Sequence, residues 1–541
     1  MTGAAVEVQL TEEPAAAAAA IAELVSDGVA GRLFAGDATL WGPDAEAEAS
    51  IRLGWIDAFE RADGLLEEID GLRASLLKRG VDRVVLCGMG GSSLAPEIIA
   101  RRDWAALTVL DSTHPGTVRR VLGGDLSRTV LVVSSKSGTT VETRSHLAAF
   151  EQRFREAGID AASRIVVVTD PGSPLEAAAQ DAGYRVFPAD PNVGGRFSAL
   201  TAFGLVPAAL AGADARALIA EARAAAPVLA VDEPGNPALR LAAALAAGLP
   251  ARYACALTEA EVRPAGLGDW IEQLVAESTG KQGLGVLPLA LADGAPELHG
   301  AMPAAAILVA LSPEAVNLPA TETSVTAVGP LGAQFLLWEA ATSVLCRLMG
   351  VNPFDQPDVE AAKVAARAAM APGAQEDRPL AVLTGEAEGT EVLATPGGAT
   401  GLPEQATPDE ALSALRESIP EGGYLAVQAY LDAGALRGPV VELRDRLAAA
   451  LGVPVSLGWG PRFLHSTGQL HKGGPRIGAF LQLLDIPEAN EPIPGLEMSF
   501  GALIAAQARG DREVLQSRGR PVLALRSPDP GALVRALIER L

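Results

Sequence analysis

Six consecutive residues, Ser135-Lys136-Ser137-Gly138-Thr139-Thr140, put hydroxyls, an ammonium and a glycine between an apolar run and a helical pattern. Upstream, Val130-Leu131-Val132-Val133 reads as a strand buried on both faces of a parallel sheet. Downstream, Leu147, Phe150 and Phe154 fall at helical spacing. Thr139 and Glu142 have the spacing of a capping box, which would start the helix there. Free backbone N–H groups, the positive helix end, hydroxyls and one ammonium would converge on one point, an arrangement that suits an oxyanion. An ordinary capped strand-to-helix turn fits the same pattern, and lysine usage separates the two. The 43 basic residues include five lysines, Lys78, Lys136, Lys281, Lys363 and Lys472, which leaves 43 − 5 = 38 arginines. Where arginine is the default cation, a lysine marks a need for a compact charge or a proton donor.

Other stretches carry further chemistry. Asn192-Val193-Gly194-Gly195-Arg196-Phe197-Ser198 opens a helix, and its glycines allow close backbone approach while Arg196 could face an anion. Alone, it would read as a surface loop with a solvated arginine. Trp270 to Lys281 reads as a helix ending at Gly280, with Gln273 and Glu277 four residues apart on its apolar face. A carboxylate there is either buried beside a partner or a general base. Asn352-Pro353-Phe354-Asp355-Gln356-Pro357 starts a helix that carries Lys363. His465-Ser466-Thr467-Gly468-Gln469-Leu470-His471-Lys472 holds two of the five histidines, at a spacing poorer for a shared metal than for proton transfer. Gly88-Met89-Gly90-Gly91-Ser92-Ser93 leaves a strand and enters a helix without the G-x-G-x-x-G spacing of a dinucleotide loop, so no nucleotide cofactor is expected.

The elements that must hold these residues follow an α/β pattern. Strands are expected at Arg83–Cys87, Leu107–Leu110, Val130–Ser134, Ile165–Thr169 and Tyr184–Phe187, alternating with helices. That alternation implies a doubly wound parallel sheet in three αβα layers, with ligands beyond the carboxyl ends of its strands. A second unit begins near residue 236. It has strand patterns at Arg252–Ala256, Gly285–Pro288, Ala305–Leu311, Tyr424–Tyr430, Val453–Leu457, Ala479–Leu484 and Val522–Leu525, and an apolar helix over Leu331–Leu348. The expected organisation is a helical N-terminal extension over 1–60 anchored by Trp41 and Trp55, a first domain over 61–235 and a second over 236–541. Residues 372–422, rich in Ala, Gly, Pro and Glu, read as the least structured segment and an insertion. The net charge of −23 argues against nucleic acid or an anionic membrane as partner. An anionic substrate would need a local positive pocket, which Lys136, Arg196 and Lys281 could supply. Three widely spaced cysteines in apolar runs suggest free thiols and a cytoplasmic setting.

Together, Gly88–Pro96, Ser135–Thr143, Gly194–Ser198, Gln273–Lys281, Asn352–Lys363 and Leu464–Gln469 resemble the phosphoglucose isomerase family. The resemblance is strongest to the isomerase half of fused transaldolase–isomerase proteins. It implies two sugar-isomerase domains, no metal or cofactor, a sugar-phosphate substrate and reversible conversion of glucose 6-phosphate to fructose 6-phosphate through a cis-enediol. Matched residue by residue, Gly91, Ser92, Ser135, Lys136, Ser137, Gly138, Thr139 and Thr140 take sugar-phosphate-binding positions, and Gln273 a substrate contact. Glu277 matches the base, Arg196 the group that stabilises the enediolate, and His465 with Lys363 the ring-opening pair. The family order places the histidine segment before Asn-Pro-Phe-Asp-Gln-Pro, whereas here it follows by about a hundred residues. The second domain therefore reads as rearranged, with His299 as a rival to His465. The homodimer common in the family, in which this histidine comes from the neighbouring subunit, is left open. A dual phosphoglucose/phosphomannose isomerase and a non-catalytic sugar-phosphate sensor are the alternative readings.

Overall fold

The computed structural model describes residues 6–259, 266–314, 324–358, 364, 377–396, 402–487 and 489–541. The N-terminal extension is helical over Ala15–Ser26, Val29–Phe34 and Pro43–Ala49, but it also carries a strand, β1 (Glu7–Leu10). Both tryptophans anchor it. Trp55 stacks on Phe197 at 5.4 Å between ring centroids, and Trp41 meets Phe354 edge-on at 5.1 Å and donates its indole N–H to the Ser343 carbonyl.

The first sheet is made of β2 (Arg83–Cys87), β3 (Leu107–Leu110), β4 (Thr129–Ser134), β5 (Ile165–Thr169) and β6 (Arg185–Pro188), close to the expected bounds. Its order is β3-β2-β4-β5-β6 and every pair is parallel. Every residue of β4 and β5 is buried, as strands covered by helices on both faces must be. The β-branched composition of these runs suits that pleated, two-sided burial.

Residues 236–541, expected to form one domain, carry two sheets. One is built from β7 (Ala254–Glu259), β8 (Leu287–Ala290), β9 (Ala306–Ser312) and β10 (Ser324–Val328), all parallel, in the order β1-β10-β9-β7-β8. The N-terminal strand β1 closes its edge antiparallel to β10. The helix Leu331–Met349 is buried along nearly its whole length against this sheet's helices, which explains its apolar run on every side.

The other sheet has seven strands: β11 (Ala381–Leu383), β12 (Glu391–Ala394), β13 (Gln405–Ala406), β14 (Tyr424–Tyr430), β15 (Val455–Trp459), β16 (Gly478–Asp485) and β17 (Val522–Ser527). Its order is β13-β11-β12-β17-β16-β14-β15. The described part of 372–422, expected to be the least structured segment and an insertion, carries regular elements of this sheet. It supplies the three strands at one end of this sheet, β13 at the edge with β11 and β12 next to it, and the helix Pro408–Ser418, which begins with a complete capping box at Thr407 and Glu410. The short strands escaped a period-two reading because β11 and β13 have only three and two residues. No helix among the described residues is long and apolar enough to cross a membrane.

Candidate active site

The carboxyl ends of the first sheet open into a cavity of about 390 Å³, a size that suits a small metabolite. Its polar floor is the turn after β4. Ser135, Lys136, Ser137 and Thr140 line it, opposite Gly91 and Ser92 from the turn after β2. Gly91 allows that approach, because a Cβ there would lie 1.9 Å from the Gly195 carbonyl oxygen. Thr140 is the N-cap of the helix Val141–Glu156, but no side chain caps that first turn. Its Oγ1 lies 3.1 Å from Ser135 Oγ. The expected capping box at Thr139 and Glu142 does not form, so the N–H groups of the first turn stay available to a ligand.

Gly138 and Thr139 support the loop from outside the cavity lining. Gly138 has φ +67°, a conformation that favours glycine, and its N–H donates to Ser135 Oγ at 3.2 Å. Thr139 Oγ1 lies 2.9 Å from Ser137 Oγ. Lys136 reaches the cavity already paired, with Nζ 2.5 Å from Asp170 Oδ2. Burial pushes the Asp170 carboxyl above the usual carboxylate range, against the pull of the Lys136 ammonium.

At the other end stand Glu277, Gln273, Arg196, Gln356 and His465. Glu277 is 6% exposed on the helix Leu267–Thr279, whose apolar face is fixed by Trp270 packing edge-on against Phe335. Gln273 Nε2 donates to Glu277 Oε2 at 3.1 Å and to the His465 carbonyl at 2.8 Å, so one amide ties the carboxylate to the histidine loop. Arg196 is buried and almost fully engaged. Its Nε donates to Ser278 Oγ, Nη1 to Gln356 Oε1 at 2.7 Å, and Nη2 to the carbonyls of Pro353 and Asp355. Nη1 also lies 3.6 Å from Glu277 Oε1.

Lys281 is not among the residues that line this cavity. Its buried Nζ donates to the Asn352 and Asp355 carbonyls and to Asp355 Oδ1 at 2.6–2.7 Å. It locks the Asn352–Gln356 turn that presents Gln356. Burial, with Arg196 nearby, pushes its ammonium below the usual lysine range.

The histidine in the cavity is His465, from the chain's own loop after β15, and not His299, which sits exposed at the end of the turn Pro296–His299. Lys363 lies outside the described residues. His465 Nε2 is 3.0 Å from Glu142 Oε1. Burial alone would raise the Glu142 carboxyl, but the adjacent His465 outweighs it and holds the group below its ordinary range. Glu142 is therefore the acceptor and His465 Nε2 the donor.

Sequence reasoning missed Glu142, Asp170 and Gln356. Glu142 was absorbed into a capping motif. Asp170, the acid directly after a buried strand's carboxyl end, carried a positional signal that was legible, and Gln356 lies seven residues before the scarce Lys363.

No protein-family model matches the chain. Over 223 residues it is 38% identical to a curated protein of Haloarcula marismortui, covering 40% of this chain and 51% of that one. Over 190 residues it is 37% identical to a glucose-6-phosphate isomerase of Synechococcus sp., covering 33% of this chain and 36% of that one. The chain thus spans about half or less of these relatives' length. Over 388 residues it is 32% identical to a glucose-6-phosphate isomerase of Thermus thermophilus, covering 60% of this chain and 91% of that one. The crystal structure of a hypothetical protein of Thermus thermophilus superposes with a TM-score of 0.56 at 30% identity, over 66% of this chain and 96% of that one.

Proposed function

The chain belongs to the glucose-6-phosphate isomerase family, and we propose on that premise that it interconverts glucose 6-phosphate and fructose 6-phosphate through a cis-enediol. One observation carries the reading. Glu277, buried and hydrogen-bonded by Gln273, shares a single cavity with Arg196, His465 and the hydroxyl-lined loop Ser135–Thr140.

In this reading the phosphate sits on the Ser135, Ser137 and Thr140 hydroxyls, the first-turn N–H groups and Lys136, and the sugar extends toward Glu277. Glu277 takes the C2 proton and returns it to C1 on the same face, so one carboxylate serves both steps. Arg196, whose Nη1 faces Glu277, stabilises the negative charge that develops on the enediolate oxygens. Its four anchoring contacts hold that charge in place before the reaction begins. His465, with its proton fixed by Glu142, and Lys363 serve ring opening. The three free, buried cysteines suit a reducing cytoplasm.

A coupled assay that follows fructose 6-phosphate formed from glucose 6-phosphate tests this, with mannose 6-phosphate run in parallel. Turnover of the glucose–fructose pair is expected. Its absence overturns the reading, and comparable turnover of mannose 6-phosphate widens it to a dual isomerase.

A further inference from the structure

The partner of Glu142 on its far side comes from the other end of the chain. Gln507 lies on the helix Phe500–Ser517, between strands β16 and β17 of the seven-stranded sheet. Phe500 and Leu503 of that helix pack into the apolar cluster on the outer face of the first sheet, and Phe500 stacks on His146 at 5.6 Å. Gln507 is four residues beyond Leu503 and seven beyond Phe500, so it shares the face that meets the helix Val141–Glu156. There its Nε2 donates to Glu142 Oε1 at 2.6 Å, while its Oε1 accepts from the Thr113 hydroxyl at 2.7 Å. Thr113, Gln507 and Glu142 are all buried.

The direction of each bond follows. A carboxylate only accepts, so the Gln507 amide turns its NH2 toward Glu142, and the Thr113 hydroxyl donates to the carbonyl oxygen on the other side. Glu142 Oε1 then receives two N–H donors, from Gln507 and from His465. Two such donors favour the carboxylate over the acid and fix its rotamer. His465 Nε2 keeps its proton toward Glu142, and Nδ1 is left as the ring's basic nitrogen.

We propose that Gln507 is a positioning residue for ring opening: its amide, held by Thr113, keeps Glu142 in place so that His465 works in a single tautomer. The proposal rests on the reading of His465 as a ring-opening group. That step moves one proton from the anomeric hydroxyl O1 to the ring oxygen O5 as the C1–O5 bond breaks and C1=O1 forms. It needs no oxidant or reductant, only a group that carries protons at a defined atom.

A double-mutant cycle on the full chain tests this, with Gln507→Met, His465→Ala and the pair. Gln507→Met keeps length and apolar packing but removes the amide. Turnover of glucose 6-phosphate is expected to fall about 10–100-fold, the size usual for losing a partner that orients a functional histidine. The Kd of arabinonate 5-phosphate, an open-chain acid that needs no ring opening, should stay within about twofold. In the His465→Ala background, Gln507→Met should cost nothing further beyond about twofold. Near-native turnover of His465→Ala overturns the reading of the histidine, and the relay with it. A slow His465→Ala beside a near-native Gln507→Met, or equal losses in both backgrounds, overturns the relay alone. Should Gln507→Met fail to fold, Thr113→Val removes the hydroxyl that anchors the amide. It should show the same non-additive loss, and Thr113→Ser should restore turnover.

Discussion

Arg196 Nη1 lies 3.6 Å from Glu277 Oε1, with both side chains buried. The carboxylate thus has a fixed cation beside it, yet the guanidinium is held mainly by the Pro353 and Asp355 carbonyls, Gln356 and Ser278. Charge is supplied without a tight pair that would lock Glu277 away from a substrate.

Glu277→Gln preserves size and the Gln273 contact but cannot accept a proton. Its kcat is expected to fall by about 10²–10⁴, the usual cost of losing a general base. The Kd of arabinonate 5-phosphate should barely change, and solvent deuterium should stop entering C2 of glucose 6-phosphate. Near-native exchange in that variant would show that the base lies elsewhere.

Arg196→Lys keeps the charge but cannot reproduce a planar fork that reaches four partners. Both kcat and thermal stability should drop, because the Asn352–Gln356 turn loses two carbonyl contacts. Leaving a buried group unpaired costs about 1–3 kcal/mol. An unchanged melting temperature would mean that Lys281 alone holds that turn.

The Lys136–Asp170 pair makes opposite predictions for its two members. Lys136→Ala should weaken arabinonate 5-phosphate by about 1.5–3 kcal/mol, the size of a charge-assisted contact. Asp170→Asn removes the carboxylate that competes for the ammonium and should tighten binding. Calorimetry on both variants checks the pair, and weaker binding by Asp170→Asn would show that the aspartate positions Lys136 instead.

His465→Ala should slow turnover of ring-closed substrate while sparing deuterium exchange in an open-chain analogue. His299→Ala should be near wild type, since His299 is exposed outside the cavity. The reverse pattern would reassign the histidine.

Acid stability should depend on His471, which is buried between Tyr424 and Phe480 with Nδ1 3.0 Å from the Tyr424 hydroxyl. Burial, reinforced by Lys472 and Arg520, pushes the imidazole down to about 3. Between its ordinary value near 6.5 and about 3, the unfolded chain binds a proton that the folded chain does not. Stability is therefore full above that window and falls as pH drops through it, by about 1.4 kcal/mol per pH unit for this one group. His471→Gln should flatten the slope in urea titrations across the window. An unchanged slope would mean that other groups carry it.

What the sequence determined by itself was local. Short apolar runs and turn residues placed the five strands of the first sheet to within a residue or so, because burial on both faces leaves a continuous apolar stretch. The hydroxyl-rich turn after β4 is written in consecutive residues, the Gln273–Glu277 face in an i, i+4 spacing and the scarce lysines in composition, so all three were visible too. Tertiary structure decided what those residues meet. Lys281, one of three cations that could supply a positive pocket, is buried under the Asn352–Gln356 turn, and Lys136 is already paired with Asp170. Glu142 looked like a helix cap, yet it joins His465 and Gln507, 323 and 365 residues away. Such pairs leave no periodic trace, because a buried carboxylate takes its donors from whichever elements pack against it. The split of the second half into two sheets was hidden likewise. Strands carry their apolar pattern wherever they pair, and only packing settles which neighbour each one takes.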